Sequence, residues 1–419
     1  MNIIKFIFTD LIYIWLPILL FYMMYFLWEQ YIEDKFVSGI EWKLLEIKIP
    51  RDIDKSPLAM EMFIINALYH ESSKGWWEKR IQGAVRFFFS LEIISESGKI
   101  RYFVRTPSRV VPLVTSQLYA QYPQAEIKEV PDYTRKFSRI KDNSRYDMWG
   151  CEFTKENNEV FPLKTYVDYG LDKLDLKDEY KIDPLNSTLE FLASVRKGEN
   201  IWIQYNIRAS AKKYHRGGLF SKPHSYFEEI EYILEDMLKK YTQIKRDPET
   251  GAFLSQETRT PDTTLRDKIE ALRKAAKKLP FDVNIRTMYI AEREVFDPNT
   301  RRALRLMFRQ FAQPTINQLI RVHSTQYDWP WQDVAGTLNR MKNRTLAYYK
   351  DRVAFHPPVE NTIKIPIIDH FVPPRVPSIA VMNTEEIATL WHFPGRSVET
   401  PSIDRIETKT SKPPANLPF

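Results

Sequence analysis

Arg301, Arg305 and Arg309 recur at four-residue spacing, with Arg302 beside them, so a helix would carry them down one side. Lys212 and Lys213, followed by Tyr214, His215 and Arg216, form a second basic cluster with an aromatic ring inside it, and Arg273, Lys274, Lys277 and Lys278 form a cationic helix end. Cations interleaved with aromatics can track phosphates and stack bases. Lys212, Lys213, Arg216, Arg301, Arg305 and Arg309 are therefore candidate nucleic-acid contacts. The competing account is a solvated helical face, with cations favoured near helix C-termini.

Other chemistries find less to build with. A P-loop needs glycine, four residues, then Gly-Lys and a hydroxyl residue, because successive backbone N–H groups must cradle phosphates. Gly98-Lys99 is followed by Ile100 and has Ile93 where the first glycine belongs, and the chain's 12 glycines contain no G-x-G-x-x-G. The seven histidines show no H-x-x-x-H spacing, and Asp369-His370 reads as a loop residue beside a satisfied histidine. Cys151, the lone cysteine, follows Trp149-Gly150 in a turn-like context and reads as a buried structural thiol. No Gly-x-Ser-x-Gly is present, and no carboxylate pair is marked as acid and base. The expectation is a non-enzymatic chain with no catalytic residue, metal or cofactor.

The elements that would position these residues begin with an anchor. Leu11 to Trp28 is a run of 18 residues without a charge, closed by Glu29, Glu33 and Asp34. That length matches the hydrocarbon core of a bilayer, with Leu11, Trp15, Pro17 and Leu20 inside it and Tyr25 and Trp28 suited to the interfacial belt. A signal peptide would have a shorter apolar region and a small-residue cleavage site. Lys5 flanks one side and Lys35, Lys43 and Lys48 the other, which leans toward a cytoplasmic body. A single cysteine agrees with a reducing compartment. The expected location is the cell (inner) membrane, crossed once. Net charge is +7, on a mixed-sign surface that permits nucleic acid or anionic lipid without demanding either.

Beyond residues 1–35, periodicity predicts strand, helix, two strands, helix, strand. The elements are Glu41–Ile49, Leu58–Tyr69, Arg86–Ser95, Lys99–Thr106, Val110–Tyr122 and Glu126–Val130, with a turn at Glu96-Ser97-Gly98. The same order recurs in Pro162–Tyr169, Asn186–Arg196 (capped by Asn186 or Ser187), Asn200–Ala209, Phe281–Ala291, Asn299–Gln313 and Gln318–Ser324. The fold expected is α+β. Two ferredoxin-like βαββαβ domains, 36–160 and 161–355, follow the transmembrane helix. Residues 210–280 interrupt the second as a helical hairpin, Ser225–Tyr241 and Thr264–Leu279, read as a partner-contacting or oligomerising projection. A helix over Trp331–Phe355 follows. Residues 356–419 hold eleven of the 27 prolines and read as an extended tail that wraps along a surface, interrupted by one helix behind the capping signature Asn383 to Glu386.

Three stretches carry a resemblance. They are Phe103 to Pro107 leading into Ser116 to Pro123, Trp329-Pro330-Trp331, and the tail from Asn383 to Gly395 with Pro413 to Pro418. Across most of residues 40–419 the chain resembles the membrane-anchored amino-terminal region of coupling-protein-like ATPases of type IV secretion and conjugation, from bacterial candidate phyla and some archaea. The resemblance implies an FtsK/HerA-like motor domain after the Asn-Leu-Pro stretch, but this chain stops at Phe419 without one. It therefore implies a motor on a separate polypeptide, or a truncated reading frame, and an anchoring and assembly role for this chain. The lipid bilayer, an FtsK/HerA-like ATPase, a second copy and DNA are the partners in view, with Leu390, Trp391 and Phe393 as candidate docking residues. A module that delivers DNA to a translocation machine is the alternative.

Overall fold

The computed structural model describes residues 12–406, leaving aside 51–54, 72–74, 142–143, 174–181, 217–221, 247–252, 259–261, 328, 330, 332, 334–335, 358–375 and 396–404. The apolar run becomes α1 (Ile12–Ser38), a single helix with Pro17 inside it; Leu11 lies outside the described residues. Tyr13, Ile18, Phe21 and Tyr22 stand exposed along it. Among the described residues it is the one helix long and apolar enough to cross a membrane.

The first set of body elements follows the order the periodicity predicts, with one short helix added, and the second departs from it at its opening strand. The first set is β1 (Trp42–Pro50), α2 (Leu58–Phe63) continuing into a π-helical turn Ile64–Leu68, the short α3 (Trp76–Arg80), β2 (Phe89–Glu96), β3 (Lys99–Pro107), α4 (Val111–Gln121) and β4 (Glu126–Val130). The second is β5 (Tyr146–Lys155), α5 (Leu185–Ala193), β6 (Glu199–Ala209), then an insertion, then β9 (Pro280–Glu292), α8 (Pro298–Leu306) and β10 (Leu319–Val322). The insertion comprises α6 (Tyr226–Tyr241), β7 (Thr242–Arg246), β8 (Phe253–Thr258) and α7 (Thr263–Ala275). α9 (Thr337–Asp351), β11 (Ala380–Asn383), α10 (Thr384–Leu390) and β12 (Arg405–Ile406) complete the chain.

Ten strands form one large sheet in the order β10-β5-β9-β6-β2-β3-β1, with β4 and β12 both beside β1 and β11 beside β9. Every pairing is antiparallel except β1 with β12. Each set therefore lies fourth-first-third-second. The two meet at β2 and β6, paired from Phe89↔Ile207 to Glu96↔Asn200. The β2–β3 turn places Ser97 and Gly98 at positive φ, as the Glu-Ser-Gly signal requires.

Strand alternation divides the core between two faces of this sheet. Leu45, Ile93, Val104, Ile203 and Tyr289 point to one face, where α2, α4, α5, α8 and α10 pack. Their neighbours Leu44, Ile94, Phe103, Trp202 and Met288 point to the other, covered by Tyr133, Phe137 and Ile140 and by Leu346 and Tyr349 of α9. The centre is buried on both sides, so almost all of β9 is out of solvent.

Five local expectations are corrected. Pro162–Tyr169 is not a strand, because its backbone donors serve side chains: Leu163 N donates to Glu386, Tyr166 N to Thr389, and Thr165 N to Asp168 in a turn. The strand that opens the second set is β5, before the expected boundary at residue 160, and it carries the Trp149-Gly150-Cys151 segment read as turn-like. Neither Asn186 nor Ser187 caps α5; Asp183 accepts from Leu185 N at 2.8 Å instead. The helix over Trp331–Phe355 shortens to α9, bounded by Gly336 and Arg352, both in the left-handed conformation. The insertion carries a strand pair, β7–β8, between its helices. At its base Tyr226, Ile230, Leu272 and Ala275 pack with Val160 and Val381, so this end joins the core.

Candidate functional site

The arginines of α8 are positioned by a helix start that the sequence encodes directly. The Asp297 side chain accepts from Asn299 N at 2.7 Å, and Pro298 occupies the first turn, where its missing N–H costs nothing. Arg301 and Arg305 then lie half-buried on one side, with Arg302 exposed. The helix ends at Leu306 and the chain tightens into a 3-10 turn at Arg309–Phe311, so the four-residue register breaks before Arg309. Arg321 of β10 takes that place, a residue missed because nothing in its strand marks it as a neighbour of α8. Burial, then the like charges of Arg321, Arg301 and Arg302, lower the Arg305 pKa. Arg305 lies over the Trp149 ring at 5.6 Å and donates to the Gln326 side chain, while the Nε atoms of Arg301 and Arg305 are buried without a hydrogen-bond partner. Crowded guanidinium donors of this kind suit anionic oxygens.

The other basic cluster is neutralised from within. Lys212 pairs with Glu159. Arg216 forms a two-point pair with Glu229, at 3.0 and 2.9 Å, and its guanidinium lies over Tyr232. Lys213 alone of the three stands exposed without a described ion pair.

A second feature lies where α1 enters the body. Arg80 of α3 pairs with Glu29 and covers the Tyr25 ring, and His356 Nδ1 lies 3.0 Å from Glu33. Ile32 is buried against Gly83, whose φ is +66° and where any Cβ would overlap the Ile32 carbonyl. Beside this joint opens a cavity of about 810 Å³ lined by Glu33, Lys79, Arg86, Arg208, Lys212, Asp282, Phe355 and His356. Trp76 and Trp77, on the same short helix as Lys79, are 69% and 62% exposed.

The remaining ionisable clusters are closed and structural. Arg352 and Glu92 are fully buried and paired at 2.9 Å, joined by Asp132, Tyr133 and Gln204. Glu152 accepts from Arg286 at 2.7 Å and from Ser378 N at 2.8 Å, with His323 at 2.8 Å. Burial opposes the Glu152 charge, but Arg286 and His323 overcome it and draw its pKa down to about 2. Lys155 pairs with Glu386 at 2.7 Å, both out of solvent. Burial pushes the Cys151 thiol up to about 12, and its Sγ lies 3.3 Å from Thr287 Oγ1, so the buried structural thiol read from the sequence stands. A smaller cavity of about 270 Å³ lies between α7 and α10, with Asp168, Asp267, Glu270, Lys274 and Glu385 on its walls. Among the described residues no group of three or more acidic, histidine or cysteine side chains could hold a metal ion; Asp369 and His370 lie outside them.

Leu390, Trp391 and Phe393 are not docking residues. They are 1%, 0% and 1% exposed, packed in the main core against Tyr102 and Tyr122. The apolar tail helix that reads as a partner motif instead completes this chain's own sheet face, since β11 pairs with β9 directly before it. A second pair of exposed tryptophans, Trp329 and Trp331, is stacked at 4.9 Å with planes 13° apart.

One family model matches residues 33–406, and the chain belongs to that family, described as a domain of unknown function (DUF8128). The match covers the sheet, the insertion and the tail as far as residue 406, beginning where α1 joins the body. No curated protein matches the chain.

Proposed function

We propose that this is a non-enzymatic single-pass protein of the cell (inner) membrane whose cytoplasmic body serves as an assembly component for a translocating ATPase of the FtsK/HerA type, as in type IV secretion or conjugation. The observation that carries the reading is the joint of α1 with the body. A bilayer-length apolar helix continues without interruption to Ser38 and is held by Arg80–Glu29, His356–Glu33 and the Gly83–Ile32 contact, a rigid mount in place of a loose tether. The resemblance noted above supplies the ATPase as partner. Two ferredoxin-like domains, fused through β2 and β6, are the finer reading of the fold, supported by the fourth-first-third-second strand order in each set. Partner contact falls to the stacked Trp329–Trp331 pair and the insertion that carries α6 and α7. The test is co-purification of the detergent-solubilised full chain with a P-loop ATPase from the same cells. Recovery that falls on Trp329→Ala/Trp331→Ala supports the proposal; no ATPase recovered by the unaltered chain contradicts it.

A second reading, delivery of DNA to such a machine, is favoured by the gathering of Arg301, Arg305 and Arg321 with the exposed Arg302. It requires salt-sensitive DNA binding with a steep log–log slope. Charge reversal at Arg301 and Arg302 should weaken that binding, and indifference to those charges would eliminate it.

A further inference from the structure

The joint of α1 with the body has a membrane-facing side of its own. The uncharged run closes at Trp28, so the hydrocarbon boundary falls near Tyr25 to Trp28. Arg80 fixes α3 at that level, since it touches Tyr25 and Glu29 together. One helical turn earlier on α3 stand Trp76 and Trp77, with Ile81 after them at 42% exposure. Paired exposed tryptophans at this depth have the amphipathic chemistry of the bilayer interface, where an indole ring meets both carbonyls and acyl chains.

Glu33 lies five residues past Trp28, about 7.5 Å further along the helix axis, which is the depth of the headgroup layer. The cavity it lines carries Lys79, Arg86, Arg208 and Lys212 against Glu33 and Asp282, so cations outnumber anions on its walls. Arg208 is committed to Asp282 at 2.9 Å and Lys212 to Glu159. Lys79 lines the space without a described ion pair, and Arg86 beside it makes only a long hydrogen bond, 3.4 Å to the Ala209 carbonyl; burial with the neighbouring Arg208 charge lowers the Arg86 pKa.

We propose that the body rests on the bilayer through α3, with Trp76 and Trp77 seated in the interface around the emerging α1 and the adjoining cavity taking the phosphate headgroup of an anionic lipid. This rests on the membrane-anchor reading of α1. The surface is continuous with the span, its aromatic edge fits the acyl boundary, and its charge complements the headgroup, so the occupant is the lipid surface and not a second protein.

The full chain is reconstituted in vesicles of phosphatidylcholine and phosphatidylglycerol with brominated acyl chains, and tryptophan quenching is compared with that of Trp76→Phe/Trp77→Phe. Trp15 and Trp28 of α1 report the anchor in both proteins. The proposal expects the variant to lose about half of the lipid-quenched signal, two interfacial indoles of four. Equal quenched signal in both proteins overturns the wedge while leaving the anchor standing; no quenching in either overturns the anchor reading itself. For the cavity, the detergent-purified chain should retain phosphatidylglycerol over phosphatidylcholine. Lys79→Gln should cut that preference several-fold, and Lys79→Gln/Arg86→Gln more so at unchanged melting temperature. Displacement of the lipid by millimolar inorganic phosphate would make the ligand a free anion and overturn the lipid assignment, as would undiminished preference in both variants.

Discussion

Arg352 and Glu92 show how a charged residue can be structural here. Both are fully buried, each holds the other, and Asp132, Tyr133 and Gln204 satisfy the remaining donors and acceptors. Removing one partner strands the other in a low-dielectric site, which costs about 3–5 kcal/mol. Glu92→Ala is therefore expected to lower the urea midpoint strongly, whereas Glu231→Ala, on the exposed face of α6, should leave it nearly unchanged. His392 carries a pH dependence. Its Nδ1 lies 2.9 Å from the Ala388 carbonyl and its Nε2 3.1 Å from Asp183, so both nitrogens face acceptors and both must hold protons. Burial pulls its pKa down, but the Asp183 carboxylate and these hydrogen bonds raise it above the ordinary 6.5. The stabilisation is complete below pH 6.5 and is lost as pH rises through the raised folded value. Asp183 is disfavoured by burial yet lowered below its ordinary 3.8 by His392, so its share is lost only as pH falls through that lowered value. The melting temperature of the unaltered chain should fall above pH 6.5 relative to His392→Gln; parallel curves would refute the charged pair. None of these partners was legible in the sequence, because Asp183 and His392, or Glu92 and Arg352, meet only after long stretches of chain fold back.

At the scale of elements, the capping box at Asn383 was legible and is formed, with Glu386 N donating to Asn383 at 2.9 Å and Asn383 N to Glu386 at 2.8 Å. What the sequence could not say is where α10 packs. A short apolar helix in a proline-rich context has the same pattern whether it binds a partner or its own sheet; the β11–β9 pairing and the Lys155–Glu386 ion pair decide for the sheet. Ending the chain before Ala380 should therefore give insoluble or unfolded protein, not a folded body that has lost a partner. Trp391→Ala alone should cost about 3–5 kcal/mol in denaturant unfolding, the range for deleting a buried aromatic. The missed strand has a similar cause: β5 contains Gly150, which lowers strand propensity. It is specified by neighbours on both edges, β9 and β10, more than by its own pattern. Gly83→Val should disturb the anchor joint, because a side chain there meets the Ile32 backbone; faster proteolysis between α1 and β1 than in the unaltered chain would report it.

At the scale of the molecule, the first four-strand set was legible from alternation and its marked β2–β3 turn, whereas the second was legible only in β6, β9 and β10, its opening strand β5 carrying a segment that reads as a turn. Their fusion into one sheet was not, because the β2–β6 seam joins residues a hundred or so apart whose patterns would look the same at a free edge. The arginine cluster was half legible: helical spacing brings Arg301 and Arg305 together, while Arg309 leaves and Arg321 arrives through the tertiary fold. The apolar helix α1 was the most legible feature, since its run of 18 uncharged residues has the length that crosses a bilayer. Everything proposed for the body depends on that helix being embedded in lipid. Membranes from cells producing the full chain, washed at alkaline pH in carbonate and then extracted, measure this most directly. The account predicts that the protein stays in the pellet after the wash and is released only by detergent; release into the carbonate supernatant would contradict it.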